Sequence, residues 1–124
     1  MTAFSCTSCQ QRISPDLREV PMPAPVTEEA PGHRFLPPLV PRGSYAASPH
    51  TGALVLNPDD IMGVTRHPDP RRRNGCCGLD GLDGPNLVCG NCGAEVATQQ
   101  SDCWSQQLIA LIPDAVTEMV SPSA

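Results

Sequence analysis

The apolar residues of this chain fall into short runs bounded by Pro, Gly, Ser and Asn, a pattern that predicts brief strands and little helix. Strand candidates lie at 34–36, 43–47 and 53–56. A strand at 87–88 leads into a cysteine turn, one at 95–98 leads out of it, and 108–112 closes the set. Helical turns are expected in three places: within 13–20, with Asp16 as a cap after Pro15; at 60–63, entered through Asn57-Pro58-Asp59-Asp60; and after Pro113, with Asp114 capping a turn to Val120. Residues 121–124 read as a mobile tail. Between 21 and 41 there are seven prolines in 21 residues, and their missing N–H groups exclude a regular helix or a central strand there.

The chain thus divides into an N-terminal CxxC knuckle at 1–20, a Pro-rich extended segment with short strands at 21–57, a Cys-rich module at 58–112 and a tail at 113–124, all parts of one domain. Leu39-Val40-Pro41-Arg42-Gly43-Ser44 matches a thrombin-recognition linker used in cloning letter for letter. The continuous composition on both sides, with no histidine tag before it, favours native sequence.

Composition turns this loop-rich pattern into a question of stability. The 124 residues include 15 Pro, 10 Gly and 7 Cys, and the only aromatic residues are Phe4, Phe35, Tyr45 and Trp104. So few large apolar side chains make a weak core, and small folds of this kind draw on metals or crosslinks. The N-terminus has neither a basic region nor an apolar run, which points to the cytoplasm, where disulfides are disfavoured. An odd number of cysteines, two of them adjacent, argues the same way. The longest apolar run, 108–112, is far too short to span a membrane. The chain has no lysine, which removes Schiff-base chemistry.

The cysteines carry the chemistry. Cys6-Thr7-Ser8-Cys9 and Cys89-Gly90-Asn91-Cys92 are CxxC pairs, the spacing at which two thiolates grip one tetrahedral Zn²⁺. Eleven residues separate Cys77 from Cys89 and ten separate Cys92 from Cys103, lengths that suit strand excursions returning to the knuckle. Seven cysteines and His67 make eight ligands, enough for two ions. The favoured grouping sets Cys6, Cys9, Cys76 and His67 around one zinc and Cys77, Cys89, Cys92 and Cys103 around the other, because adjacent side chains at Cys76 and Cys77 point apart in extended backbone. The two could exchange places. The alternative is a single zinc held by Cys6, Cys9, Cys89 and Cys92, and a chain without metal is the third reading. His33 and His50 read as solvated loop residues, and Trp104 as an apolar roof over the metal.

Other candidates weaken on inspection. Arg71-Arg72-Arg73 is the one basic cluster, and it reads as a solvated loop beside thiolate-rich centres. Two loaded zinc sites would take the formal charge from −5 to about −8, which disfavours nucleic acid. Asp80, Asp83 and Asn86 lack calcium-loop spacing and read as Asp-Gly turns. A hydrolytic zinc would need an open position with Glu95 or Asp102 as base, and a redox dithiol would need a strand-to-helix setting.

The run from Asn74 through Cys76-Cys77 and the repeated Leu-Asp-Gly to Cys89, then Cys92 to Thr98 and Asp102-Cys103-Trp104, resembles small cysteine-rich proteins of actinobacteria with a zinc-binding pattern. The likeness covers roughly 57–116. It carries no activity with it, and the likeness to zinc ribbons rests on the Cys89 knuckle. The expectation is a small metal-stabilised, β-rich and irregular fold: a zinc-ribbon-like β-hairpin with long Pro-rich loops and little helix. Such a chain would act as a structural-zinc adaptor whose partner is another protein. A zinc-dependent hydrolase or thiol-redox enzyme, and a nucleic-acid-associated zinc-ribbon regulator, are the alternatives.

Overall fold

The computed structural model describes residues 1–27, 36–103 and 105–121. Among these residues nine strands run in chain order: β1 (Thr2–Cys6), β2 (Arg18–Glu19), β3 (Ser44–Ala47), β4 (Leu54–Leu56), β5 (Val64–Arg66), β6 (Leu87–Cys89), β7 (Glu95–Gln100), β8 (Leu108–Leu111) and β9 (Val116–Val120). Three single 3-10 turns, Pro58–Asp60, Pro70–Arg72 and Pro113–Ala115, are the only helical elements among the described residues. No helix there is long and apolar enough to cross a membrane. The protein is β-rich, with almost no helix.

Seven strands form one sheet in the order β2-β3-β4-β8-β7-β6-β5, antiparallel except for the β2–β3 pair, while β1 and β9 form a separate antiparallel ribbon. Side chains alternate across the large sheet as strand geometry requires. Tyr45, Leu56, Ile109 and Leu111 face the ribbon and join Phe4, Cys6, Leu17 and Val116 in the main core. Ala46, Val55, Leu108 and Ala110 face the other way and are covered by Val20, Met22, Val26, Leu39 and Val40 of the Pro-rich segment. Where prolines forbid a ladder, side chains supply the pairing: Gln106 accepts from Val26 N at 2.9 Å and donates to Val26 O at 2.8 Å. Phe4 of the ribbon meets Tyr45 of the sheet edge to face, with ring centroids 5.1 Å apart.

Several expected elements take a different form. Residues 13–20 are extended, because Leu17 exchanges both backbone hydrogen bonds with Thr2 and the Asp16 carboxylate goes to Arg12 at 3.2 Å instead of capping a turn. The turn after Asn57 starts earlier than expected, at Pro58, with the Asn57 side chain capping Asp59 N. Past Pro113 the chain makes one 3-10 turn without a side-chain cap and then becomes β9, paired along its length with β1. That ladder needs a partner more than a hundred residues away, which local pattern does not reveal. The expected strand at 34–36 falls mostly outside the described residues, as do His33, Trp104 and 122–124.

Leu39-Val40-Pro41-Arg42-Gly43-Ser44 is built into the fold. Leu39 and Val40 are buried, Asn57 Nδ2 donates to Val40 O at 3.0 Å, and Gly43 N donates to the Asp60 carboxylate at 2.8 Å.

Candidate metal centres

Two knuckles with the same backbone wiring meet at one end of the core. In the first, Cys6 N donates to Gln11 O at 2.8 Å and Gln10 N donates back to Cys6 O at 2.7 Å. In the second, Cys89 N donates to Ala94 O at 2.8 Å and Gly93 N donates back to Cys89 O at 2.9 Å. Each turn reverses through one left-handed residue, Gln10 at φ +66° and Gly93 at φ +79°. Cys6 comes from the end of β1 and Cys89 from the end of β6, so ribbon and sheet each contribute two sulfurs.

Those four sulfurs lie within 4.8 Å of one another. Cys6 Sγ is 3.6 Å from Cys92 Sγ, and Cys9 Sγ is 3.5 Å from Cys89 Sγ. A tetrahedron of thiolates about 2.3 Å from a central zinc has edges of about 3.8 Å, whereas a disulfide needs about 2.05 Å. All seven cysteines are free thiols, and the four-sulfur group has the dimensions of a metal cage.

Gly63 wedges the knuckles together. Its carbonyl accepts from Gly90 N at 2.8 Å, and a Cβ at Gly63 would stand 2.7 Å from Arg12 O. Next to it, Met62 N donates to Ile13 O at 2.9 Å. The only sequence signal for this role is an isolated glycine ahead of a short strand.

Electrostatics separates Cys9 from Cys92. The Asn91 side chain, with the Gln11 backbone, pulls Cys9 down to about 6. At Cys92 the Ala94 backbone N–H acts to lower the value, but burial and the sulfurs of Cys6, Cys9 and Cys89 outweigh it and push the thiol up to about 12. Crowded sulfurs tolerate little shared negative charge without a cation, and a metal ion bound there would remove that conflict by taking all four as thiolates.

Cys76, Cys77 and Cys103 form a second group, also within 4.8 Å of one another, with Cys77 and Cys103 sulfurs 3.4 Å apart. Asp102 organises it. Its carboxylate accepts from Cys76 N at 3.0 Å, Cys77 N at 2.7 Å and Cys103 N at 2.9 Å. The N–H groups of Cys77 and Cys76 hold Asp102 below the usual carboxylate range, and the hydrogen bond with Cys77, together with burial, pushes Cys103 up to about 11.

Two cysteine groups are therefore present, but their membership differs from the favoured grouping. Cys6 and Cys9 sit with Cys89 and Cys92, as in the single-zinc alternative, and Cys76 and Cys77 stay on the same side with Cys103. The tight loop at 75–78 is not extended, so the argument that neighbours point apart does not apply. His67 joins neither group: its Nε2 bonds the Glu95 carboxylate at 2.8 Å and its Nδ1 accepts from Asp69 N at 3.0 Å. His50 is exposed.

The groups offered for other chemistries are committed elsewhere. Glu95 is held by His67 and by Arg72 at 3.0 Å, and Asp102 is spent on backbone N–H groups. Arg71 forks onto Asp69 and Arg72 also donates to Pro85 O, so two of the three clustered arginines are engaged. Asp80 accepts from Leu82 N, Asp83 accepts from Asn74, and buried Asn86 pairs with the Gln99 backbone, which makes them turn and sheet residues. Both CxxC pairs close tight turns back onto their first cysteine and do not start a helix.

Comparison with protein-family models, with curated proteins and with solved structures finds no match.

Proposed function

We propose that this chain is a structural-zinc adaptor, in which one Zn²⁺ held by Cys6, Cys9, Cys89 and Cys92 clamps the β1–β9 ribbon to the large sheet and so orders a surface for another protein. The observation that carries the reading is the pair of cross-knuckle contacts, 3.6 Å and 3.5 Å, inside one four-sulfur group. Four thiolates in a tetrahedron suit zinc, which needs no redox change and leaves no position for substrate. Binding in such centres supplies roughly 10–16 kcal/mol of apparent free energy at neutral pH, and here it adds to a core with few aromatic side chains. The zinc-ribbon likeness is local: the Cys89 turn between β6 and β7 is a hairpin knuckle, and its partner knuckle comes from the N-terminal ribbon.

Native mass spectrometry with elemental analysis tests this. The expected result is zinc on the purified protein, with loss of native circular dichroism and amide dispersion when a strong chelator removes it. A fold that persists without metal, or iron in place of zinc, would overturn the reading.

A further inference from the structure

The second cysteine group differs from the first in how it is finished. Cys76 and Cys77 are exposed and Cys103 is half-buried, so none of the three is in the core, whereas the first group anchors on buried Cys6 and Cys89 beside half-buried Cys9 and exposed Cys92. Its three sulfurs are held in place by the protein's own hydrogen bonds. Besides the three N–H groups on Asp102, Ser101 N donates to Leu79 O at 2.8 Å and Asp80 N to Asn74 O at 2.9 Å. A Cβ at Gly75 would overlap Gly78 O, and one at Gly78 would stand 2.6 Å from Ser101 O, so only glycines let the two loops lie this close. The sulfurs are thus preorganised. Among the described residues no fourth Cys, His, Asp or Glu donor joins the group.

We propose that Cys76, Cys77 and Cys103 form a coordinatively open zinc site, which binds the ion on three thiolates and completes its tetrahedron with a neutral donor from outside the chain. Zinc accepts three protein ligands plus one exchangeable ligand as readily as four. Charge selects the outside donor. Three thiolates and Zn²⁺ sum to about −1 beside the Asp102 carboxylate, and a fourth thiolate would deepen that to about −2. Water fills the position in the free protein, and an imidazole, as on a histidine of a docking partner, replaces it. The three thiols give their protons to solvent on binding, and no electron transfer is involved. The site shares no ligand with the four-thiol centre.

Cobalt(II) titration of the reduced full-length protein provides the test, because its visible bands report both ligand type and ligand number. One bound equivalent should show three-thiolate bands that shift when imidazole is added, and Cys77→Ser and Cys103→Ser should each abolish that equivalent while leaving the four-thiol spectrum unchanged. With zinc, a chromogenic chelator should strip this site about ten-fold or more faster than the other. In Gly93→Ala, which weakens the four-thiol centre without removing a ligand or introducing a clash, the imidazole response should persist, which separates failure of the structural centre from failure of this one. Absence of an imidazole-responsive equivalent, its survival in both serine variants, or an intact mass two hydrogens short from a Cys77–Cys103 disulfide in protein isolated without reductant would overturn the proposal.

Discussion

Gln10 and Gly93 occupy the same position in the two knuckles, each donating its N–H to the carbonyl of the cysteine four residues earlier from a left-handed backbone, φ +66° and +79°. A side chain in that conformation costs about 1–2 kcal/mol, partly offset by the roughly 0.5–1 kcal/mol of entropy that glycine loses on folding. A Cβ at Gly93 would meet nothing within 4 Å, so conformation alone decides the outcome there. Gly93→Ala should therefore weaken zinc retention by up to about five-fold, or about 1 kcal/mol, and Gln10→Gly should strengthen it by a similar factor. Competition against a chelator of known affinity measures both, and equal signs for the two variants would refute the equivalence.

Gly63 should be less forgiving. It combines φ +67° with a prospective Cβ 2.7 Å from Arg12 O and 2.8 Å from the Gln11 side chain. The Gln11 amide can swing away, but the Arg12 carbonyl belongs to the backbone of the first knuckle. Gly63→Ala is expected to cost more than the roughly 1–2 kcal/mol of left-handed strain alone and to loosen the four-thiol centre. Chelator-release rates should rise while the three-thiol group is unaffected. A variant with unchanged release would show that Gly63 is not what holds the knuckles together.

His67 gives the sharpest separation between reading the ligand set from spacing and reading it from the fold. With Nε2 on Glu95 and Nδ1 on Asp69 N, it has no nitrogen left for a metal. His67→Ala should leave metal stoichiometry unchanged and, as Glu95 keeps Arg72, should lower stability by no more than about 1 kcal/mol. Native mass spectrometry and urea denaturation of the variant check both parts. Loss of one metal equivalent would restore His67 as a ligand.

What was legible in the sequence follows from which forces are local. β3, β4, β6, β7 and β8 stand where short apolar runs are bounded by Pro, Gly, Ser or Asn, and their positions agree with expectation to within a residue or two. β1 was hidden because its five buried residues, Thr2-Ala3-Phe4-Ser5-Cys6, include polar ones and form no apolar run, and β9 because only Val116 is buried along its length. The CxxC spacings identified each knuckle but not which knuckles meet. That depends on the ribbon pairing Cys6 with Val116 and on the contacts through Gly63, none of which has a period in the sequence. Asp102 was visible only as a candidate base. Its use of both oxygens on cysteine N–H groups is a property of two loops, one between β5 and β6 and one between β7 and β8, brought together by the pairing of β6 with β7.

Asp69 offers a pH test away from the metal centres. Its carboxylate caps the Pro70–Arg72 turn through Arg71 N and takes the Arg71 guanidinium at 2.9 Å. The side-chain hydrogen bond from Arg71, then its backbone N–H, lowers the carboxyl from 3.8 to about 2. A carboxyl depressed in the folded state contributes stability that is complete above 3.8 and is lost as pH falls through about 2. The Asp69 carboxyl resonance should therefore titrate near 2, and Arg71→Ala should move its midpoint towards 3.8. A midpoint already near 3.8 in the parent chain would mean that the fork does not persist in solution.

The thrombin-like segment supplies a test of the Pro-rich wrap. Cleavage after Arg42 requires the flanking residues to lie extended in a protease cleft, yet Leu39 is 7% exposed, Val40 is 0% exposed, and Gly43 is tied to Arg18 N through its carbonyl and to Asp60 through its N–H. Lifting Leu39 and Val40 out of the back face exposes two side chains worth about 1.5–3 kcal/mol each, so the open state lies at least about 3 kcal/mol above the closed one. Proteolysis through a rapidly opening state follows that population, and every 1.4 kcal/mol is roughly a factor of ten. The native protein should be cut at Arg42 at least about 100-fold more slowly than the chelated, denatured chain. Asp60→Ala, which frees Gly43 N, should narrow the gap. Intact-mass time courses report the rates, and equal cleavage of native and denatured protein would mean that the segment is a loose insert and not part of the fold.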